Sequence, residues 1–249
     1  MLGGLNAVVE RGEFVSILGT SGCGKSTLLR ILAGLLRPTS GTVTYDGESR
    51  HTGQTSFVFQ KPTLCPWLSL RRNVELPLKL SRTSSSTRAT AANEAIDLVG
   101  LDASDRFKMP AQLSGGMQMR ASLARAFVTK PSLMLMDEPF SSLDEVIRQQ
   151  LTETSLRLWQ LGNWTTVFVT HNVAEAVFMS QRIYVLAGKP ATFVESIDVP
   201  FQQRNEDLRT SSEFIEFVAD VSRRFRAAVE CTPTVAKKVQ EAGGEVRGG

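Results

Sequence analysis

The chain has no apolar run approaching the ~18 residues of a membrane-spanning helix, and no signal-peptide pattern opens it. Any work at a membrane would go through docking to something embedded there. An excess of charge is missing too. The 28 Lys and Arg against 25 Asp and Glu leave only +3, which argues for neither nucleic acid nor a lipid surface as a partner. Cysteine is scarce: Cys23, Cys65 and Cys231 are widely spaced and odd in number, and a disulfide at Cys23 would distort the glycine loop around it. They read as reduced, cytosolic thiols. What the chain has is 249 residues, 42% of them hydrophobic, enough for one large α/β domain or a domain with a subdomain.

The chain is organised around Gly19-Thr20-Ser21-Gly22-Cys23-Gly24-Lys25-Ser26-Thr27, which fits G-x-x-x-x-G-K-[ST] through Gly19, Gly24, Lys25 and Ser26. Phe14–Leu18 before it reads as a buried strand, and 28–33 after it as a helix closed by Gly34. Strand, glycine loop and helix together make a phosphate cradle. Glycines turn backbone N–H groups inward, the helix N-terminus adds partial positive charge, and Lys25 adds a full one. Ser26 can offer its hydroxyl to magnesium. A bare Gly-rich turn would match these four positions by chance in roughly one chain in a hundred, and the flanking elements lower that further. Nucleotide binding follows; what hydrolysis would be used for does not.

Around the loop, the alternation of strands and helices indicates an α/β fold with a mostly parallel sheet covered on both faces. Residues 1–13 read as an edge strand around Ala7–Val9 and a turn, 41–47 as a strand into a turn, and Thr55–Gln60 as a strand. Between 61 and 131 the pattern changes to a helical insert. Pro62, Pro66 and Pro77 break its front half, 81–87 reads as a polar loop, and 89–100 as a helix stopping at Gly100. Further buried strands fall at Leu133–Met136, Thr165–Thr170 and Ile183–Leu186. Helices fall at 143–161, at 173–180 after an Asn172 cap, and at 213–229 on the surface; 243–249 reads as a disordered tail.

Two further constellations carry chemistry. Asp137-Glu138 lies at the C-terminal tip of a buried strand, the edge at which α/β sheets bind ligands. Asp137 is suited to hold magnesium, directly or through water, and Glu138 to polarise an attacking water. Alone, the pair would read better as a solvated acidic turn before Pro139. Leu113-Ser114-Gly115-Gly116 opens the helical run 118–128, with Ser114 as N-cap and two bare glycines, a second helix end built for an anion. Two such ends in one chain point to two chains sharing each nucleotide.

At this point the chain resembles the ATP-binding subunit of an ABC transporter over Gly3 to about residue 225. The order of motifs carries the resemblance: the loop at 19–27, Gln60, Leu113-Ser-Gly-Gly116, Asp137-Glu138, Ser141-Ser-Leu-Asp144 and His171. It implies a P-loop NTPase fold with an N-terminal β edge and an inserted helical subdomain. Residues 1–200 would form the ATP-binding domain, the subdomain would lie at roughly 61–131, and 201–249 would be a C-terminal helix and tail. It implies ATP and magnesium as ligands, and a head-to-tail homodimer holding each ATP between one chain's Lys25 and Ser26 and the partner chain's signature segment at 114 and 116. Gln60 would contact magnesium and the attacking water. Glu138 would be the base, Asp144 would belong to the loop crossing the dimer interface, and His171 would read the γ-phosphate. A lone histidine is more often structural, but His171 directly follows a strand end; His51, in a polar stretch, is assigned nothing. The implied partners are a second ATP-binding subunit, a membrane permease docking near residues 61–75, where Trp67 and Leu68 stand among prolines, and indirectly a solute-binding protein. The implied place is the cytoplasmic face of the membrane, peripherally.

Met117, Phe57-Val-Phe-Gln60, Pro66-Trp67, Asp137–Phe140 and Met179–Leu186 resemble the subgroup importing nitrate, taurine and sulfonates. There are departures. Met119 stands where glutamine is common, and no aromatic precedes Phe14, although the family stacks one on adenine. Either the natural start lies upstream or the base is held more weakly, by the ~1–3 kcal/mol that base–aromatic stacking contributes elsewhere. A soluble, non-transport ABC-type clamp is the rival reading. Its relatives often carry two motif sets or long coiled coils, and this chain has one set and no extended heptads. A degenerate structural subunit would require damage at Lys25, Gln60, Asp137, Glu138 or His171, all of which are present.

Overall fold

The computed structural model describes residues 2–46 and 54–230; His51, Cys231 and the tail at 243–249 lie outside them. The strands are β1 (Phe14–Gly19), β2 (Thr55–Val58), β3 (Leu133–Asp137), β4 (Thr165–Thr170), β5 (Arg182–Gly188) and β6 (Ala191–Asp198). They form one sheet in the order β2-β3-β4-β1-β5-β6. β1 runs parallel to β5 and β2 to β3, while β6 closes antiparallel on β5. The helices are α1 (Lys25–Leu32), α2 (Leu70–Leu80), α3 (Ser85–Leu98), α4 (Gly115–Phe127), α5 (Glu145–Gly162), α6 (Val173–Met179), α7 (Glu206–Thr210) and α8 (Ser212–Glu230). The expected α/β class, a mostly parallel sheet flanked by helices, is the observed one.

The chain divides into two compact units, one of Met1–Val8, Val15–Leu28 and Val169–Gly249, the other of Val9–Phe14 and Leu29–Phe168. In the first, β1 and β5 are apolar and almost wholly buried, as strands covered on both faces must be. β6 mixes threonine, glutamate and serine with its few apolar residues, so its sequence shows no clean alternation and did not announce a strand. The expected edge strand at Ala7–Val9 is not formed. Only Leu2 makes an isolated bridge, with Ala191, and the Tyr184 hydroxyl donates to the Val8 carbonyl at 2.8 Å, occupying an acceptor that a neighbouring strand would use. α8 buries Phe214 and Val221, and Phe214 meets Phe178 of α6 edge-on at 6.3 Å. The Arg209 guanidinium lies 3.5 Å from the Phe178 ring centroid.

In the second unit, Phe14 is buried against Trp159 at 5.7 Å and Phe168 at 6.3 Å, core packing that confirms it as a strand residue. Two expectations about the helical insert are corrected. Pro77 sits inside α2 rather than ending it. Its missing N–H leaves the ladder one bond short, yet Ser81 N–H still reaches the Pro77 carbonyl and closes the last turn. The polar stretch at 81–87 is half helix, because Ser84 accepts from the Thr87 N–H and starts α3 four residues earlier than expected. Gly100 does end that helix, with Leu101 N–H reaching back to the Ile96 carbonyl. In place of a strand at 41–47, the described part carries a single bridge residue, Tyr45, followed by Asp46 at φ 53° in an ion pair with Arg11. Met119 of α4 is a buried core residue.

Candidate functional site

In the first unit, β1 ends at Gly19 and α1 begins at Lys25, so the loop 20–24 crosses from strand to helix as the motif required. Gly22 and Gly24 hold φ of 78° and 111°, values that a side chain would resist. Lys25 is 4% exposed, and its ammonium donates to the Gly19 carbonyl at 2.8 Å and the Thr20 carbonyl at 2.9 Å. A buried cation is tolerable only with such acceptors. Ser26 and Thr27 follow in the first turn of α1, half-buried, while Thr20 and Ser21 are exposed. A cleft of about 340 Å³ opens beside the loop, lined by Gly22, Cys23, Gly188, Lys189 and Pro190. Cys23 is buried and, like Cys65, a free thiol.

His171 directly follows β4 and is exposed. Its neighbours are pinned. Asn172 N–H donates to Thr170 Oγ1, whose hydroxyl donates to the buried Glu175 carboxylate at 2.8 Å. Asn172 Oδ1 in turn accepts from the Glu175 N–H, the cap expected for α6. Glu175 satisfies the threonine rather than closing a box on the Asn172 N–H.

In the second unit, Asp137 is the last residue of β3 and Glu138 the first beyond it, both half-buried. Glu138 has φ 44°, in the left-handed region, immediately before Pro139. A glutamate rarely adopts that backbone, and the surrounding contacts must hold it there. Ser141 does so twice: its N–H reaches the Glu138 carbonyl at 3.2 Å and its hydroxyl donates to the same oxygen at 2.9 Å. Gln60, just past β2, donates Nε2–H to Ser141 Oγ at 3.0 Å. Arg148 adds a clamp, donating to the Leu143 carbonyl at 2.7 Å.

The signature segment is built as expected locally. Ser114 caps α4 by accepting from the Met117 N–H at 3.2 Å. Gly115 faces open space, whereas a Cβ on Gly116 would lie 2.9 Å from Ile147 Cγ2 in the first turn of α5. Asp144 is itself the N-cap of α5, accepting from the Ile147 N–H at 3.0 Å. Gln60 and Glu138 are thus joined through Ser141, and the signature turn meets the helix that Asp144 starts; Ser114 and Gly115 take no part in the Gln60 cluster.

The segment after Gln60 has its own frame. Arg125 of α4 donates to the Pro62 and Thr63 carbonyls, each at 2.9 Å, and to Thr63 Oγ1 at 3.1 Å. Burial lowers its pKa below the usual arginine value. Asn73 is fully buried and ties the Cys65 N–H and the carbonyls of Cys65, Leu68 and Ser69. Trp67, between these anchors, is 73% exposed. Arg125 was not singled out from the sequence, and Ser141 entered only as the first residue of the Ser141–Asp144 motif, with no role of its own, since neither contact sits at a spacing that the sequence marks.

The sequence profile of the family described as "ABC transporter" matches residues 2–141. The nitrate import ATP-binding protein NrtD of Synechocystis sp. is 39% identical over 233 residues, 89% of this chain and 86% of that protein. The aliphatic sulfonates import ATP-binding protein SsuB 1 of Mesorhizobium japonicum is 42% identical over 198 residues, 78% of this chain and 73% of that protein. Among solved structures, the dimeric post-hydrolysis state of the ATP-binding cassette MJ0796 bound to ADP and Pi superposes with TM-score 0.71 at 32% identity, covering 80% of this chain and 91% of that one. With the motifs in their order, the phosphate loop between β1 and α1, and relatives matching over most of its length, the chain belongs to the ABC transporter family.

Proposed function

We propose that the chain is the ATP-hydrolysing subunit of a membrane importer, and that two copies close around two ATPs to drive a permease. Residues 1–200 would be the ATP-binding domain, with the helical subdomain at roughly 61–131 and a C-terminal helix and tail at 201–249. The observation that carries the reading is Glu138, half-buried at the end of β3 and held at φ 44° by Ser141, where a base acting on water would be placed. Lys25 and the loop amides would hold the phosphates of one ATP. Ser114 and Gly116 of one copy would cover the ATP of the other, Asp144 would stand at the junction, and His171 would orient the γ-phosphate.

Ser26, Gln60 and Asp137 offer the hard oxygens that magnesium prefers. Among the described residues no group of three or more His, Cys, Asp or Glu could hold a metal. That fits an ion carried largely by the nucleotide's own phosphates. Magnesium, when bound, would neutralise charge on the transferring phosphate.

Among the described residues no helix is long and apolar enough to cross a membrane, so attachment would run through the permease, at the framed loop around Trp67 on the cytoplasmic face. The names of the relatives support nitrate or a sulfonate as the solute, and the sequence resemblance adds a taurine-like compound. The test is Glu138→Gln. It should bind ATP as the parent does and lose at least about a hundredfold in turnover; turnover close to the parent's would remove Glu138 from the base role. A mild-detergent pull-down of the tagged chain decides between importer and soluble clamp, because only the importer brings down a multi-spanning protein.

A further inference from the structure

We infer that Ser141 is a positioning residue for hydrolysis, fixing the Glu138 backbone and the Gln60 amide at once. The inference rests on the reading of Glu138 as base. A serine hydroxyl has one proton, and here that proton goes to the Glu138 carbonyl at 2.9 Å. Its oxygen is then an acceptor for any further neighbour, and Gln60 Nε2–H takes that place at 3.0 Å. Two consequences follow from this direction of donation. The Glu138 carbonyl, held by both the N–H and the hydroxyl of Ser141, keeps the residue in a left-handed conformation that its side chain and the following Pro139 both oppose. The Gln60 amide, tied by its nitrogen, is oriented with its carbonyl oxygen as the hard-donor end, the end that magnesium or an attacking water would use. Ser141 touches no reacting atom in this scheme. It acts by setting the geometry of two residues that do, and it makes the backbone of one sensitive to the position of the other.

The experiment compares Ser141→Ala, Ser141→Thr, Gln60→Ala, the Ser141→Ala/Gln60→Ala double variant and Glu138→Gln in the full chain. Ser141→Ala should lower kcat for ATP between about tenfold and a hundredfold, the range expected for one lost orienting bond and a displaced base. KM should change little, and Ser141→Thr, which keeps the hydroxyl, should recover most of the rate. The double variant should lose less than the product of the two single losses, because the Gln60–Ser141 bond is shared between them. Independently of activity, Gln60→Ala should speed amide exchange at 138–141 and leave β3 unaffected. Additive losses, a threonine no better than alanine, or unchanged exchange would each overturn the inference. Should Glu138→Gln be inert while Ser141→Ala matches the parent, this inference alone falls; should Glu138→Gln turn over freely, the base assignment falls first.

Discussion

Gly115 and Gly116 stand side by side in the signature turn, yet the structure gives them opposite tolerances. A methyl on Gly115 meets nothing within 4 Å, while one on Gly116 meets the β-branched side chain of Ile147 at 2.9 Å. Gly115→Ala should therefore leave stability unchanged or raise it by at most about 0.5 kcal/mol. Gly116→Ala should cost about 1–3 kcal/mol by overpacking. Urea unfolding of both variants, repeated in an Ile147→Ala background, checks the cause: the Gly116 penalty should shrink there, and an unchanged penalty would locate the strain elsewhere. Much at this scale was readable in advance. Lys25, Asp137, Glu138 and the Ser114 cap each announce themselves by residue type beside a strand or helix end. Arg125 and Ile147 do not, and Ser141 is marked only as the start of the Ser141–Asp144 motif, without its partners. Their partners lie far along the chain, 81 residues for the Gln60–Ser141 bond and 62 for Arg125 with the Thr63 carbonyl. Such pairs exist only once the sheet and the insert have folded, and no local pattern encodes them.

Elements were legible where their signals are local. The buried apolar strands, the Asn172 cap and the stop at Gly100 all formed as their chemistry dictates. Pro77 and the serine run misled because each allows two outcomes, a break or a continued turn, a loop or a cap, and packing of α2, α3 and α4 on one another chose between them. α4 has a second task that its sequence hides: Arg125 carries the segment following Gln60 on its guanidinium. Lysine cannot reproduce that fork. Arg125→Lys should lose about 1–3 kcal/mol of local stability, seen as faster amide exchange over 61–69 with β3 unchanged. Unaltered exchange there would mean that Asn73 holds the segment alone.

For the molecule as a whole, the framed loop offers a large aromatic surface at small cost. Trp67 is 73% exposed while its flanks are fixed by Arg125 and Asn73, so Trp67→Ser should leave the melting temperature within about 1 °C, as surface changes do. If the proposed permease docks here, the variant should weaken its recovery in the pull-down severalfold; equal recovery would count against this loop as the docking surface. At the other end of the chain, α8 holds α6 through Phe214 on Phe178, and Arg209 closes over the same ring. α6 starts two residues after His171. Packing lost at Phe214 would therefore be felt first in α6, the helix that begins two residues after His171, and Phe214→Ala should quicken amide exchange across α6 while leaving α2 and α3 unchanged.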